Sequence, residues 1–272
     1  MQGSSMYGRM GVWGYGRNCA HTPIRPYAHT SFLLIAALAA TSLLAADSPP
    51  LVVRHQHFFV VVNDAGGAPK LSVKSKGFFT YPHGLALQVI DDRSAVRFQT
   101  RLALGAELSR GIPGPSAPRY LVIADPEMNG VIFGVDRPWG IVASASHGMG
   151  SSGAVPQMFV YIPPECDRFT VTAHAPSPRE GGRVTVLRPD GAEALVLDGE
   201  FDTPLTKAVT VPADQRGKVW SLRWSKPQTA AAALDDIVVS LDGSLAPLLW
   251  KERAWAQKHG PAVWEAHRAA TR

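Results

Sequence analysis

The sequence is poor in cysteine, carries no acidic residue before Asp47, and lacks a long helical pattern behind any of its apolar runs. Each absence excludes something. Two cysteines, Cys19 and Cys166, cannot build a disulfide scaffold, so a chain of 272 residues must rest on its hydrophobic core. Missing helices between strands argue against a parallel α/β fold. The 27 basic residues are scattered rather than clustered around aromatics, which excludes the footprint of a nucleic-acid binder. No EF-hand spacing occurs. "GMGSSG" (Gly148 to Gly153) is not a Gly-x-Ser-x-Gly elbow, and it precedes a strand rather than a phosphate-holding helix N-terminus.

What is present begins with "SFLLIAALAATSLLAA" (Ser31 to Ala46), an apolar run behind Arg9, Arg17 and Arg25. A basic lead, a short apolar core and small residues before "DSPP" form a secretory signal peptide, too short for the roughly 18 to 20 residues of a spanning helix. Residues 1–46 are therefore expected to direct export to the cell envelope or beyond. Removing their three arginines takes the formal charge from +5 to +2 and leaves Cys166, an expected inert thiol, as the only cysteine.

Glycine (25) and proline (22) suit many short strands joined by tight turns. "HFFVVV" (His57 to Val62) reads as a strand covered on both faces. "KLSVKS", "LALQVIDD", "AVRFQTRLAL", "RYLVIAD", "VIFGVD" and "WGIVASAS" follow, with Asn129-Gly130 expected to supply a hairpin turn. A second series starts at Gln157 and includes "VTVLRPDGAEALVL", a hairpin about Pro189-Asp190-Gly191. Strands recurring about every ten residues predict an all-β antiparallel sandwich. The expected division is a first β unit at 51–146, a Gly/Ser-rich linker at 147–156, a second β unit at 157–245 and a tail at 246–272. The tail is expected to be loosely docked or disordered, with two short helices broken at Gly260-Pro261, and Trp250 and Trp255 are candidates for membrane or partner contact.

"FVYIPPECDRFTVTAHAP", "VTVLRPDG", "VTVPADQRGKVWSLRW" and the closing "LDDIVVSLDGSLAP" resemble the jelly-roll, carbohydrate-binding-module type of sandwich found in bacterial extracellular proteins. The resemblance covers roughly ninety residues of the second half. It implies a polysaccharide or envelope component as partner, no catalytic role, and a structural calcium in some members.

Three sets of residues are candidates for a site. In "KVWSLRW", Trp220, Leu222 and Trp224 share one strand face, an apolar triplet that reads as core rather than as a sugar platform. Sugar stacking is then expected on Trp139 and on Phe78, Phe79 and Tyr81 of "GFFTYPHG". Asp235, Asp236 and Asp242 are candidate calcium ligands, with Asp198, Glu200 and Asp202 in loop reach. An alternative metal-dependent enzyme would use His55 and His57, placed at i and i+2 on one strand, with His83, His147 or His174 as a third ligand. A structural or adhesion protein of the envelope is the remaining alternative.

Overall fold

A computed structural model describes residues 50–271; the expected signal segment lies outside them. In chain order the first strands are β1 (Val52–Arg54), β2 (His57–Val62), β3 (Lys70–Lys76), β4 (Leu85–Asp91), β5 (Val96–Leu102), β6 (Glu107–Gly111), β7 (Arg119–Asp125), β8 (Gly130–Val135) and β9 (Trp139–Val142). There follow β10 (Met149–Ser151), β11 (Val155–Ile162), β12 (Arg168–His174), β13 (Gly181–Leu187), β14 (Glu193–Glu200), β15 (Leu205–Thr210), β16 (Lys218–Ser225), β17 (Ile237–Gly243) and β18 (Leu248–Trp250). The helix α1 (Arg253–Ala270) ends the chain.

The strands form two antiparallel sheets. Eight are ordered β15-β12-β17-β10-β1-β8-β3-β6, and ten are ordered β14-β13-β16-β11-β18-β9-β2-β7-β4-β5. Strands β1–β9 occupy one flank of both sheets and β10–β18 the other. The seams are β10 against β1 in the first sheet and β18 against β9 in the second. The buried apolar layer runs across both seams, from Leu71 and Val89 to Val186 and Val209. Alternation explains it: β3 reads exposed-buried throughout, and β4 the same with Leu85, Leu87 and Val89 inward.

The stretch expected to be a linker is not one. Met149, Gly150 and Ser151 are buried and form β10 between β1 and β17. Glycine here answers close packing, since a Cβ on Gly148 would stand 2.5 Å from Val238 Cγ1. The Asn129-Gly130 turn also differs: the tight turn covers Pro126–Asn129, and Glu127 carries the positive φ, at 55°. The Pro189-Asp190-Gly191 hairpin forms as read, with Gly191 at φ 86°.

Trp220 and Trp224 lie in the layer between the sheets, both essentially without solvent exposure. Each indole N–H is satisfied: Trp220 donates to the Gln215 carbonyl at 3.0 Å, and Trp224 to Ser151 Oγ at 2.7 Å. Trp224 thereby ties the ten-stranded sheet to β10 of the other. Burying such rings is worth several kcal/mol.

The tail is not loose. Trp250 belongs to β18 and is buried, so it has no face for a membrane. After it, α1 lies on the outer face of the ten-stranded sheet, where Trp250, Leu248, Val219 and Ala256 form a second apolar cluster with Val60, Phe159 and Tyr161. That cover explains why both faces of "HFFVVV" are apolar. Gly260-Pro261 does not break the helix. Pro261 deprives the Gln257 carbonyl of its donor, but Gln257 faces water. Gly260 faces the sheet, where a Cβ would stand 2.4 Å from Tyr161 Cβ.

Gly260→Ala is therefore expected to lower stability, although alanine is the better helix former by about 1 kcal/mol. The expected loss is on the order of 2 kcal/mol, a fall in Tm of about 4–8 °C by thermal unfolding. A rise in Tm would refute the close helix–sheet contact.

Candidate functional site

Strand directions bring one set of loops together. Arg54 at the end of β1 pairs with Gly130 at the start of β8, as does Lys76 at the end of β3. Ser151 at the end of β10 pairs with Ile237 at the start of β17, and Ala86 near the start of β4 with Asp125 at the end of β7. The loops that follow Arg54, Lys76, Asp125, Ser151, His174 and Ser225 thus share one end of the sandwich. Of the six non-glycine residues with positive φ among the described residues, five lie in these loops: His55, Phe79, Glu127, Arg179 and Asp236. The sixth, Ser94, sits in the opposite-end β4–β5 turn. Each such residue costs on the order of 1 kcal/mol or more, and such strain gathers where a surface has a task.

At the centre of this end is Arg54, nearly fully buried. Its Nη1 lies 2.5 Å from Asp236 Oδ2 and 3.8 Å from Asp235 Oδ1. Its Nη2 donates to the Met128 carbonyl at 2.7 Å, and its guanidinium sits 4.9 Å above the Phe78 ring. Two of the three expected calcium ligands do come together, but around a guanidinium that already supplies the positive charge. Asp242 does not join them: it lies next to the far end of β17, five residues beyond Ile237 and on the order of 17 Å along the strand. Asp198 is taken up by Arg183 and by the Gln228 amide. Among the described residues no group of three His, Cys, Asp or Glu side chains is placed to hold a metal ion.

The histidine pair separates for a local reason. β1 ends at Arg54, and His55 adopts φ 67°, so the chain turns before β2 begins at His57. The two rings do not share a strand face. His57 points into the core with Nε2 3.1 Å from the Gly150 carbonyl, and burial depresses its pKa to about 4. Of the possible third ligands, His83 faces Glu127 and His147 packs on Phe58. Cys166 is a buried free thiol whose pKa burial pushes up to about 11.

The expected aromatics divide. Trp139 is 5% exposed and packs edge-on to Phe59 and Phe133, so no face of it is open to a ligand. Phe78 is half-buried beneath Arg54. Phe79 is 83% exposed and stands edge-on to Tyr81, at 6.2 Å between ring centres. Their loop is pinned by the buried Asn129, which accepts from the Phe78 amide and donates to the Tyr81 and His83 carbonyls.

Beside this loop lies a groove that the sequence reading missed. On the outer face of β7, β4 and β5, one row across the sheet reads Asp125, Ala86, Arg101, and the next reads Ile123, Gln88, Gln99. Ala86 is the small residue of the first row. Strands spaced about 4.8 Å leave roughly 10 Å between the Asp125 and Arg101 backbones across it. The resulting hollow, of about 610 Å³, is lined by these residues with Gln56 and Thr100. Gln56 Nε2 donates to Asp125 Oδ2 at 3.4 Å. The signal for it is the outward half of "LALQVID", with alanine and glutamine where a solvated face ordinarily carries long charged side chains.

Glu180, at the entry to β13, carries a carboxyl raised to about 7, first by burial and then by the charges of Asp236 and Asp235. Raised above its unfolded value, it favours the folded state while protonated, so its contribution is lost as pH rises through about 7. His57 acts in the opposite sense, its contribution being lost as pH falls from 6.5 toward 4. Glu180→Gln mimics the protonated acid. It is expected to raise Tm by about 2–4 °C at pH 8, allowing for solvent screening of a half-exposed group, and to leave Tm nearly unchanged at pH 4.5. Equal shifts at both pH values, read by differential scanning fluorimetry, would remove the charge cluster as the cause. In comparisons with known proteins, no family model and no curated protein matches the chain.

Proposed function

We propose that this chain is an exported, non-catalytic carbohydrate-binding protein whose sugar site is the Ala86 hollow together with the Phe79–Tyr81 loop. The observation that carries the reading is the pairing of a ring-sized hollow with planar polar groups. Gln56, Gln88, Gln99, Arg101 and Asp125 offer amide, guanidinium and carboxylate edges that suit paired hydroxyls, and Ala86 leaves the floor open for the ring. Phe79 and Tyr81 supply exposed apolar surface at the same end. Asp125 is the single carboxylate lining the hollow, and Arg101 stands across from it. Glycoside hydrolysis ordinarily needs two carboxylates flanking the bond, so the lining favours binding over cleavage. The resemblance of the second half to carbohydrate-binding modules, and the N-terminal apolar run with its basic lead, support the same reading. Polysaccharide or an envelope glycan is then the partner.

Affinity electrophoresis and pull-down on a panel of soluble and insoluble polysaccharides test this. Retention by at least one glycan is expected. Ala86→Trp, which fills the hollow without replacing any of its polar groups, is expected to abolish it. Gln88→Ala and Gln99→Ala should each weaken binding about five- to tenfold. Phe79→Ala and Tyr81→Ala should weaken it by a similar factor. No retention on any glycan, or retention indifferent to Ala86→Trp, would discard the proposal, and the former would favour an envelope structural role.

A further inference from the structure

A second concavity lies at the opposite end of the ten-stranded sheet, between the C-terminal half of α1 and the turn that joins β11 to β12. Its volume is about 1000 Å³, at the top of the range that small-molecule sites occupy. Pro261, Trp264, Glu265 and Arg268 are spaced i, i+3, i+4 and i+7, so α1 presents them on one face. Tyr161 on the outer face of β11, Pro164 and Glu165 of the turn, Ser244 and Ala262 add to the lining.

The polar groups of this groove are held in place before any ligand arrives. The Trp264 indole N–H donates to Glu165 Oε1 at 2.7 Å. Arg268 reaches the same oxygen at 3.5 Å through Nη1, and Glu265 Oε2 at 2.5 Å through Nη2. Arg268 and Glu265 are each more than a third exposed, so a donor and lone pairs remain open to solvent. Two carboxylates and one guanidinium leave the groove one negative charge, which disfavours phosphates and uronic acids. The Tyr161 phenol, its pKa raised by burial and then by Glu165 and Glu265, stays protonated and offers a donor.

We propose that this groove is a second carbohydrate subsite, taking a neutral pyranose ring against Tyr161, with its hydroxyls on Glu265 and Arg268. The inference rests on the carbohydrate-binding reading and adds to it. Two sites at opposite ends of one sheet make the chain bivalent, so it binds a long polysaccharide more tightly than a short fragment, or joins two strands of it.

The test is titration calorimetry of the full chain with a short neutral oligosaccharide cut from the retained glycan, together with viscosity of the parent polysaccharide. Two sites per chain are expected. Ala262→Trp, an exposed groove residue replaced by one that fills the space, should leave one site with the affinity of the Ala86 hollow unchanged, and should abolish the rise in viscosity. Arg268→Ala should weaken the second site about tenfold while thermal unfolding shows the fold retained. A single site that Ala86→Trp abolishes and Ala262→Trp does not touch would overturn this inference and leave the first reading standing. Two sites both indifferent to Ala262→Trp would overturn it equally. No oligosaccharide bound at either site would remove both readings together.

Discussion

The arrangement of the loop end depends on a three-residue strand. β10 pairs with β1 through Val53 and Ser151, and with β17 through Met149 to Ser151. Without it the eight-stranded sheet would stop at the seam between its two flanks. Such close approach is open only to small residues. A Cβ on Gly150 would stand 3.3 Å from the Arg54 carbonyl, and one on Gly148 would strike Val238. Ser151 then serves both layers: its backbone joins the ladder, and its hydroxyl accepts the Trp224 indole hydrogen bond from the other sheet. β10 carries Arg54 of the first flank up to Asp235 and Asp236 of the second.

That meeting is energetically peculiar. A buried ion pair gives up the hydration of both charges, and the Coulomb gain often only offsets this. Here the balance is poorer still, because Arg54 Nε, Asp236 Oδ1, Glu180 Oε2 and His55 Nε2 are buried without a hydrogen-bond partner. An apolar core at this point would be as stable or more so. What the ion pair supplies instead is placement. The guanidinium reaches the β17 entry through Asp236, the β7–β8 turn through the Met128 carbonyl, and the β3–β4 loop through Phe78. Loops from both flanks therefore take one position relative to each other. Removing Arg54 would leave Asp236 buried beside Asp235 with no cation, a cost of about 3–5 kcal/mol.

The strands and the core were legible because both follow period-two alternation, which survives without knowledge of partners. Trp220, Leu222 and Trp224 could be assigned to the core from their neighbours alone. What misled was residue chemistry read without packing. Glycines at 148 and 150 resemble a flexible joint, but they mark a place where backbones crowd. Gly260-Pro261 resembles a helix break, but the glycine is required by Tyr161 and the proline falls on the wet side. His55 and His57 resemble a ligand pair only if the strand is unbroken, and the positive φ at His55 is invisible in an apolar run. Asp235 and Asp242 resemble one acidic site only if strand length is ignored. The pairing of Arg54 with Asp236, 182 positions apart, had no local signal at all.

The same contrast bears on where a ligand would sit. Aromatic residues attract attention as binding surface, but Trp139, Trp220, Trp224 and Trp250 are all consumed by the fold. Large rings bury the most apolar area, and a two-layer sandwich with few helices has few other ways to fill its interior. On the proposed reading, a recognition surface on such a molecule forms where side chains are small and their neighbours polar. Ala86 sits flanked by Asp125 and Arg101, and Ala262 lies beside Glu265 and Arg268. In both places an alanine, on the outer face of β4 or on α1, leaves space that a larger residue would close. At its edges Gln56 donates to Asp125 in the first place, and Arg268 pairs with Glu265 in the second. On that reading small residues, not large ones, mark the surfaces of the sheet and of α1 that are free to accept something else.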